Sequence, residues 1–188
     1  MQLKIAAVTN LTDARFFNAI GAAYIGFNFD VLNENNITIE KAKEITGWLF
    51  EPVLVGEFGL HQNKEEIAFI AEQLDIHEIQ IPFQHPEKAL LDFEKFLVLD
   101  DWRAVQHQQF SDMIVIRIQQ EDIRDEQLKA FVGKNTVFVE TDFTGEILQQ
   151  IAAELQPHGI QITCRKEDKP GLSLVDEYAD MLEAIGFS

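Results

Sequence analysis

Eight short apolar runs recur along this chain at intervals of roughly twenty residues, with amphipathic stretches between them. They are Leu3 to Ala7, Tyr24 to Phe29, Pro52 to Phe58, Glu78 to Ile81, Phe96 to Leu99, Met113 to Ile118, Thr136 to Val139 and Ile160 to Thr163. Several lack polar alternation, as parallel strands covered on both faces do. Eight strands each followed by a helix predict an α/β fold, a closed (β/α)₈ barrel. An open doubly wound sheet is the alternative, and would hold a ligand at a topological switch point. Either arrangement puts the ligand face at the C-terminal ends of the strands. With 188 residues the barrel has to be compact, because such barrels typically run to about 200 or more. No Pro-, Gly- or Ser-rich linker divides the chain, so a single domain over residues 1–188 is expected.

The intervening stretches carry helix punctuation. Asn63 followed by Glu66 has capping-box spacing ahead of Ile67. Thr12 or Asp13 is a candidate cap for a helix ended by Gly21, and Asp122 or Asp125 for one ended by Gly133. Ser173 with Asp176 opens a last helix closed by Gly186, and Asp101 caps a helix starting at Trp102.

Acidic residues outnumber basic ones 32 to 15, a formal charge of −17 that repels phosphate backbones and anionic lipid headgroups. Neither nucleic acid nor a membrane surface is an expected partner. Runs such as Phe96 to Leu99 fall far short of the roughly 20 residues that span a bilayer. The first residues, Met1 to Ala7, lack the basic region and sustained apolar core of a signal peptide. A single cysteine, Cys164, allows no internal disulfide and fits a reducing cytoplasm.

Particular residues carry a resemblance. Lys4-Ile5-Ala6-Ala7-Val8-Thr9-Asn10 followed by Asp13-Ala14 is similar to Lys-Ile-Cys-Gly-x-Thr-Asn-x-x-Asp-Ala, the opening of the phosphoribosylanthranilate isomerases. Gly21-Ala22-Ala23-Tyr24-Ile25-Gly26-Phe27-Asn28-Phe29 resembles that family's Gly-Ala-Asp-x-x-Gly-Phe-x-Phe. Val55-Gly56-Glu57-Phe58 with Glu65-Glu66-Ile67 resembles its third strand and helix. Ile79-Gln80-Ile81 stands where the family has Val-Gln-Leu-His-Gly, and Lys169-Pro170-Gly171 resembles its Pro-Gly-x-Lys-Asp. The match is good over roughly the first eighty residues, weak after them, and returns at the C-terminal end.

The resemblance implies an Amadori rearrangement of phosphoribosylanthranilate in tryptophan biosynthesis, with a cysteine as general base and an aspartate as general acid. One proton must leave a sugar carbon while another reaches the ring oxygen, so two titrating groups have to face each other. Here the cysteine position is Ala6 and the aspartate position falls at Arg117, which stays protonated. The glycine-rich phosphate loops after the seventh and eighth strands read Glu140-Thr141-Asp142 and Arg165-Lys166-Glu167-Asp168. Side chains there block the backbone approach that glycine allows. A carboxylate about 4 Å from a phosphate charge costs about 4 kcal/mol at an effective dielectric near 20. Arg165 and Lys166 offset part of that. The family's Ser-Pro-Arg motif is replaced by Glu34-Asn35-Asn36, and its sixth-strand phosphate loop has no counterpart in Ile118 to Arg124. Isomerase activity is therefore expected to be weak or absent, with no identifiable catalytic residue.

Asn28, Asp30, Glu57, Gln80, Asp100, Arg117, Glu140 and Asp142 lie near strand ends. Loops after strands are polar in any barrel, so only two or three of them are expected to touch a ligand. The ligand-binding set is read as Asn10, Asn28, Glu57, Gln80, Arg117, Glu140, Asp142 and Arg165. Arg117 has a structural use too, paired with Glu140 or Glu57. Asp100-Asp101 could form a metal or general-base site, but Asp101 reads as a helix cap instead. His61, His77, His85, His107 and His158 are scattered with no metal-ligand spacing, and neither a metal nor a cofactor is expected. Cys164 reads as a small buried residue, with Arg165 and Lys166 placed to lower its pKa. Phe16, Phe17, Phe27, Phe29, Phe69, Phe93 and Phe96 fit core positions.

Three functional classes follow. One is an isomerase with a relocated base (Cys164 or Asp30) and acid (Glu140). Another is an enzyme on a different small ligand, cationic or neutral given the acidic mouth. The third is a non-catalytic partner of a related enzyme, with an exposed apolar patch. A small molecule, a sugar phosphate by resemblance, is the expected partner, and the oligomeric state is left open.

Overall fold

A computed structural model describes residues 1–164, 175–183 and 185–186. Eight parallel strands close into a barrel in chain order. They are β1 (Gln2–Ala6), β2 (Tyr24–Asn28), β3 (Val53–Glu57), β4 (Glu78–Pro82), β5 (Glu94–Leu99), β6 (Met113–Arg117), β7 (Val137–Glu140) and β8 (Gly159–Thr163). The seam is the pairing of β1 with β8, in register from Gln2 opposite Gly159 to Ala6 opposite Thr163. Each strand lies within two residues of its expected run.

The outer layer is less regular than eight βα units require. Six α-helices are described: α1 (Leu11–Ala19), α2 (Ile39–Thr46), α3 (Lys64–Leu74), α4 (Glu126–Val132), α5 (Gly145–Gln150) and α6 (Val175–Glu183). After β4 and β5 the chain makes only 3₁₀ turns, Lys88–Leu90 and Trp102–Val105. The expectation of a helix after every strand is corrected there. Pro86 removes a backbone donor just ahead of the first of these turns. These shortened connections let the ring close within 188 residues.

Caps set the helix starts. Asn63 and Glu66 form the expected capping box at α3, and Asp125 caps α4, which ends at Gly133. Asp101 accepts from the Arg103 N–H at the head of its 3₁₀ turn. The cap of α1 is Asn10, correcting Thr12 or Asp13: its side chain accepts from the Asp13 N–H at 2.8 Å. Gly21 follows that helix at φ +84, a left-handed conformation glycine adopts without strain. Ser173 lies outside the described residues, as does the side chain of Asp176.

Strand alternation makes two cores. Outward residues such as Leu3, Ile5, Ile25 and Ile79 pack beneath the helices in the larger cluster. Inward residues Val55, Phe96, Val115 and Phe138, with Tyr24, Val98 and Met113 against them, plug the barrel. Tyr24, Phe96 and Phe138 meet edge to face at centroid distances of 5.1, 5.7 and 5.2 Å. Each such pair contributes about 0.5–1.5 kcal/mol beyond burial. A Cβ at Gly159 would overlap the Phe138 ring, so the seam strand has glycine where that ring lies. Phe69 is the exception among the expected core phenylalanines: it is exposed on α3.

Candidate functional site

Two residues further along the strands the inward positions turn polar. Lys4 on β1 is fully buried, with its ammonium donating to Glu57 Oε1 at 3.2 Å and Gln161 Oε1 at 2.9 Å. Glu57 reaches β1 across β2, and a Cβ at Gly26 would collide with its carboxylate. Its other oxygen accepts from the Ala7 N–H at 3.1 Å, securing a residue held at φ 54. Burial pushes the Lys4 ammonium below its ordinary pKa, and proximity to Glu57 opposes that shift. Burial pushes Glu57 up, opposed by Lys4.

Gln161 carries the network onward, donating from Nε2 to Glu140 Oε2 at 3.1 Å. Thr163 donates its hydroxyl to Glu140 Oε1 at 3.0 Å. Arg117 lies opposite Glu140 in register, its Nη1 3.9 Å from Oε1, while its Nη2 donates to Asp142 Oδ1 at 3.1 Å. Arg117 therefore pairs with Glu140 and Asp142, and Glu57 with Lys4 instead.

A cavity of about 290 Å³ opens here, at the C-terminal ends of β6, β7 and β8. Arg117, Glu140, Asp142 and Thr163 supply its polar wall. Ile162, Phe143, Tyr178 and Met181 supply an apolar one. Of the expected ligand residues, the structure brings Arg117, Glu140 and Asp142 together at this cavity. Asn10 serves as the α1 cap, and Asn28 accepts from the Asp30 N–H at 3.0 Å in a local turn. Glu57 is 2% exposed within its ion pair. Gln80 Oε1 is buried without a hydrogen-bond partner among the described residues. Arg165 lies outside the described residues, as do Lys166 to Ser173.

Cys164 is buried and lines the cavity, but its thiol is pushed up, by burial first and then by Asp13 and Glu57. That reverses the expected lowering. Lys4, Gln161 and the apolar wall were not singled out in the sequence. The signal for Lys4 was parity: with Ala6 inward, the residue two before it points inward as well. Among the described residues no group of three His, Cys, Asp or Glu side chains is placed to hold a metal ion. No described helix is long and apolar enough to cross a membrane.

No family model matches the chain. It is 34% identical over 101 residues to N-(5'-phosphoribosyl)anthranilate isomerase of Chlamydia felis, covering 50% of this chain and 48% of that protein. It is 37% identical over 92 residues to the enzyme of that name from Pelodictyon phaeoclathratiforme, covering 47% and 42%. The chain thus spans about half the length of the curated relatives it matches. The solved phosphoribosyl anthranilate isomerase of Thermus thermophilus superposes with a TM-score of 0.79 at 20% identity, covering 98% of both chains. A further isomerase structure, in complex with reduced 1-(o-carboxyphenylamino)-1-deoxyribulose 5-phosphate, superposes at 0.77 and 19%, covering 98% of this chain and 97% of its own. The chain is thus similar in sequence, over about half of its length, to curated phosphoribosylanthranilate isomerases, and shares the barrel fold of the solved ones throughout.

Proposed function

We propose that this chain is a small-molecule-binding barrel, one domain over residues 1–188, in which phosphoribosylanthranilate isomerase turnover is weak or absent. The observation that supports this most is the pair of residues at the proton-carrying positions. Ala6, opposite Thr163 in register, has nothing to titrate. Arg117 keeps its charge and is tied to Asp142, so it cannot deliver a proton to a ring oxygen. The sugar phosphate bound by a structural neighbour supports a small polar ligand at the mouth. Against a phosphate at this cavity stand Glu140 and Asp142 in the seventh-strand loop. The cytoplasmic setting expected from a single cysteine belongs to the same reading.

The test is loss of substrate fluorescence with phosphoribosylanthranilate generated in situ, comparing the native chain with Ala6→Cys plus Arg117→Asp. The native chain is expected to be silent, and turnover by it would overturn the proposal. Activity confined to the double variant would mark a competent pocket lacking only its proton carriers. Silence in both would mean that the native ligand is a different molecule.

A further inference from the structure

We infer that the cavity at the ends of β6, β7 and β8 takes a small organic cation, an amine or guanidine on an apolar body, with Glu140 as its anchor. This rests on the small-molecule reading above and names the ligand class. Of the two carboxylates in the inward layer, Glu57 has the Lys4 ammonium at 3.2 Å. Glu140 has only neutral donors within hydrogen-bond distance among the described residues, the Gln161 amide at 3.1 Å and the Thr163 hydroxyl at 3.0 Å. Its ion pair with Arg117 is a long one: Nη1 stands 3.9 Å away, beyond hydrogen-bond distance, while Nη2 is engaged by Asp142 at 3.1 Å. The guanidinium makes its nearer contact to Asp142, leaving Glu140 with two neutral hydrogen-bond donors and a longer ion pair at 3.9 Å.

A carboxylate has about four lone-pair sites, so Glu140 retains room for a charged donor from the cavity. Such a bond is roughly twice as strong as one between neutral groups. The apolar wall meets the rest of the ligand, and the rings of Phe143 and Tyr178 are surfaces a cation favours. At about 290 Å³ the space is at the small end of ligand pockets. The described lining holds one cationic side chain, Arg117, against two carboxylates, Glu140 and Asp142, a balance of −1. On the same wall the Cys164 thiol is pushed up, by burial first and then by the carboxylates of Asp13 and Glu57, in keeping with surroundings that disfavour negative charge. An anionic ligand would have to detach Arg117 from Asp142 and still face Glu140.

The full, isotopically labelled chain titrated by protein-observed NMR with benzylamine, benzyl alcohol and benzyl phosphate tests this, with amide shifts at Thr163 and Cys164 reporting the cavity. Benzylamine should bind at least about ten-fold more tightly than the alcohol, a difference of about 1.4 kcal/mol. Benzyl phosphate should bind most weakly. Glu140→Gln should remove the preference for the amine without weakening the alcohol. Glu140→Asp, which keeps the charge, should retain part of it and serves if the glutamine variant fails to fold. Phosphate binding as tight as amine binding would overturn the inference while leaving the small-molecule reading intact. An unchanged amine preference in Glu140→Gln, or no binding by any probe, would also overturn it. Isomerase turnover by the native chain would instead overturn the functional reading, whatever the probes do.

Discussion

The inward face of the barrel is divided between two chemistries that share the same strands. On β3 Val55 is followed two residues later by Glu57, on β6 Val115 by Arg117, and on β7 Phe138 by Glu140. The lower layer is an aromatic and aliphatic plug, and the upper layer is a hydrogen-bonded string of charges leading to the cavity. One step of the strand repeat therefore separates residues that hold the fold from residues that can meet a ligand. Lys4 and Glu57 blur the border, because their position is polar in chemistry and fully interior in burial.

Substitutions can break that division. Phe138→Ala removes a ring packed on Tyr24, Phe96 and His158, and should lower unfolding free energy by about 4 kcal/mol in urea titration. A loss under about 1 kcal/mol would mean that the lower layer is not a packed plug. Glu57→Leu leaves the Lys4 ammonium buried with only an amide for company, and should cost about 3 kcal/mol by the same titration. Combining it with Lys4→Met should recover that loss, since an apolar pair in place of a buried ion pair is neutral or better by about 1–4 kcal/mol. A double variant no more stable than the single one would assign the interior charges a net stabilising role.

The pH profile sharpens the same point. Burial holds the Glu57 carboxyl above its ordinary 4.5, so above that pH the folded chain keeps a proton the unfolded chain has released. Stability from this group therefore falls as pH rises from 4.5 toward the raised folded value. Lys4 is held below its ordinary 10.5, so approaching that pH the unfolded chain keeps the proton longer and stability rises. Unfolding free energies measured across pH should show both limbs in the native chain and neither in the Lys4→Met, Glu57→Leu variant; matching profiles would refute the assignment. The smallest effect belongs to Arg117→Ala. Its side chain is 60% exposed and that of Asp142 76%, so calorimetry should register at most about 1 kcal/mol.

How far the sequence reveals this depends on where the decisive contacts come from. The strands were legible because short apolar runs too brief for helices recur at regular spacing, with helix punctuation between them. The start of β5 was missed by two residues, since Glu94 and Lys95 open it with charge. Reduction of two helices to 3₁₀ turns was hidden by the regular spacing of the strands, which stays the same whether a connection is helical or not. At the site, Arg117, Glu140 and Asp142 could be grouped because they stand at the ends of neighbouring strands. The Lys4 partners come from β3 and β8, and the apolar wall includes Tyr178 and Met181 from α6, contacts no local pattern encodes.

The β1–β8 seam also sets an order of events for the growing chain. Lys4 is made well before Gln161, one of its two partners, which lies 157 positions later. Until the last strand docks the ring is an open sheet with two unpaired edges, and Lys4 and Glu140 lack the amide that joins them. Closure and completion of the mouth's charge network are thus one late, long-range event, of the kind that slows folding. The cavity needs Ile162 and Thr163 of β8 and Tyr178 and Met181 of α6, so a chain truncated before β8 would hold most of the barrel's strands and no finished cavity.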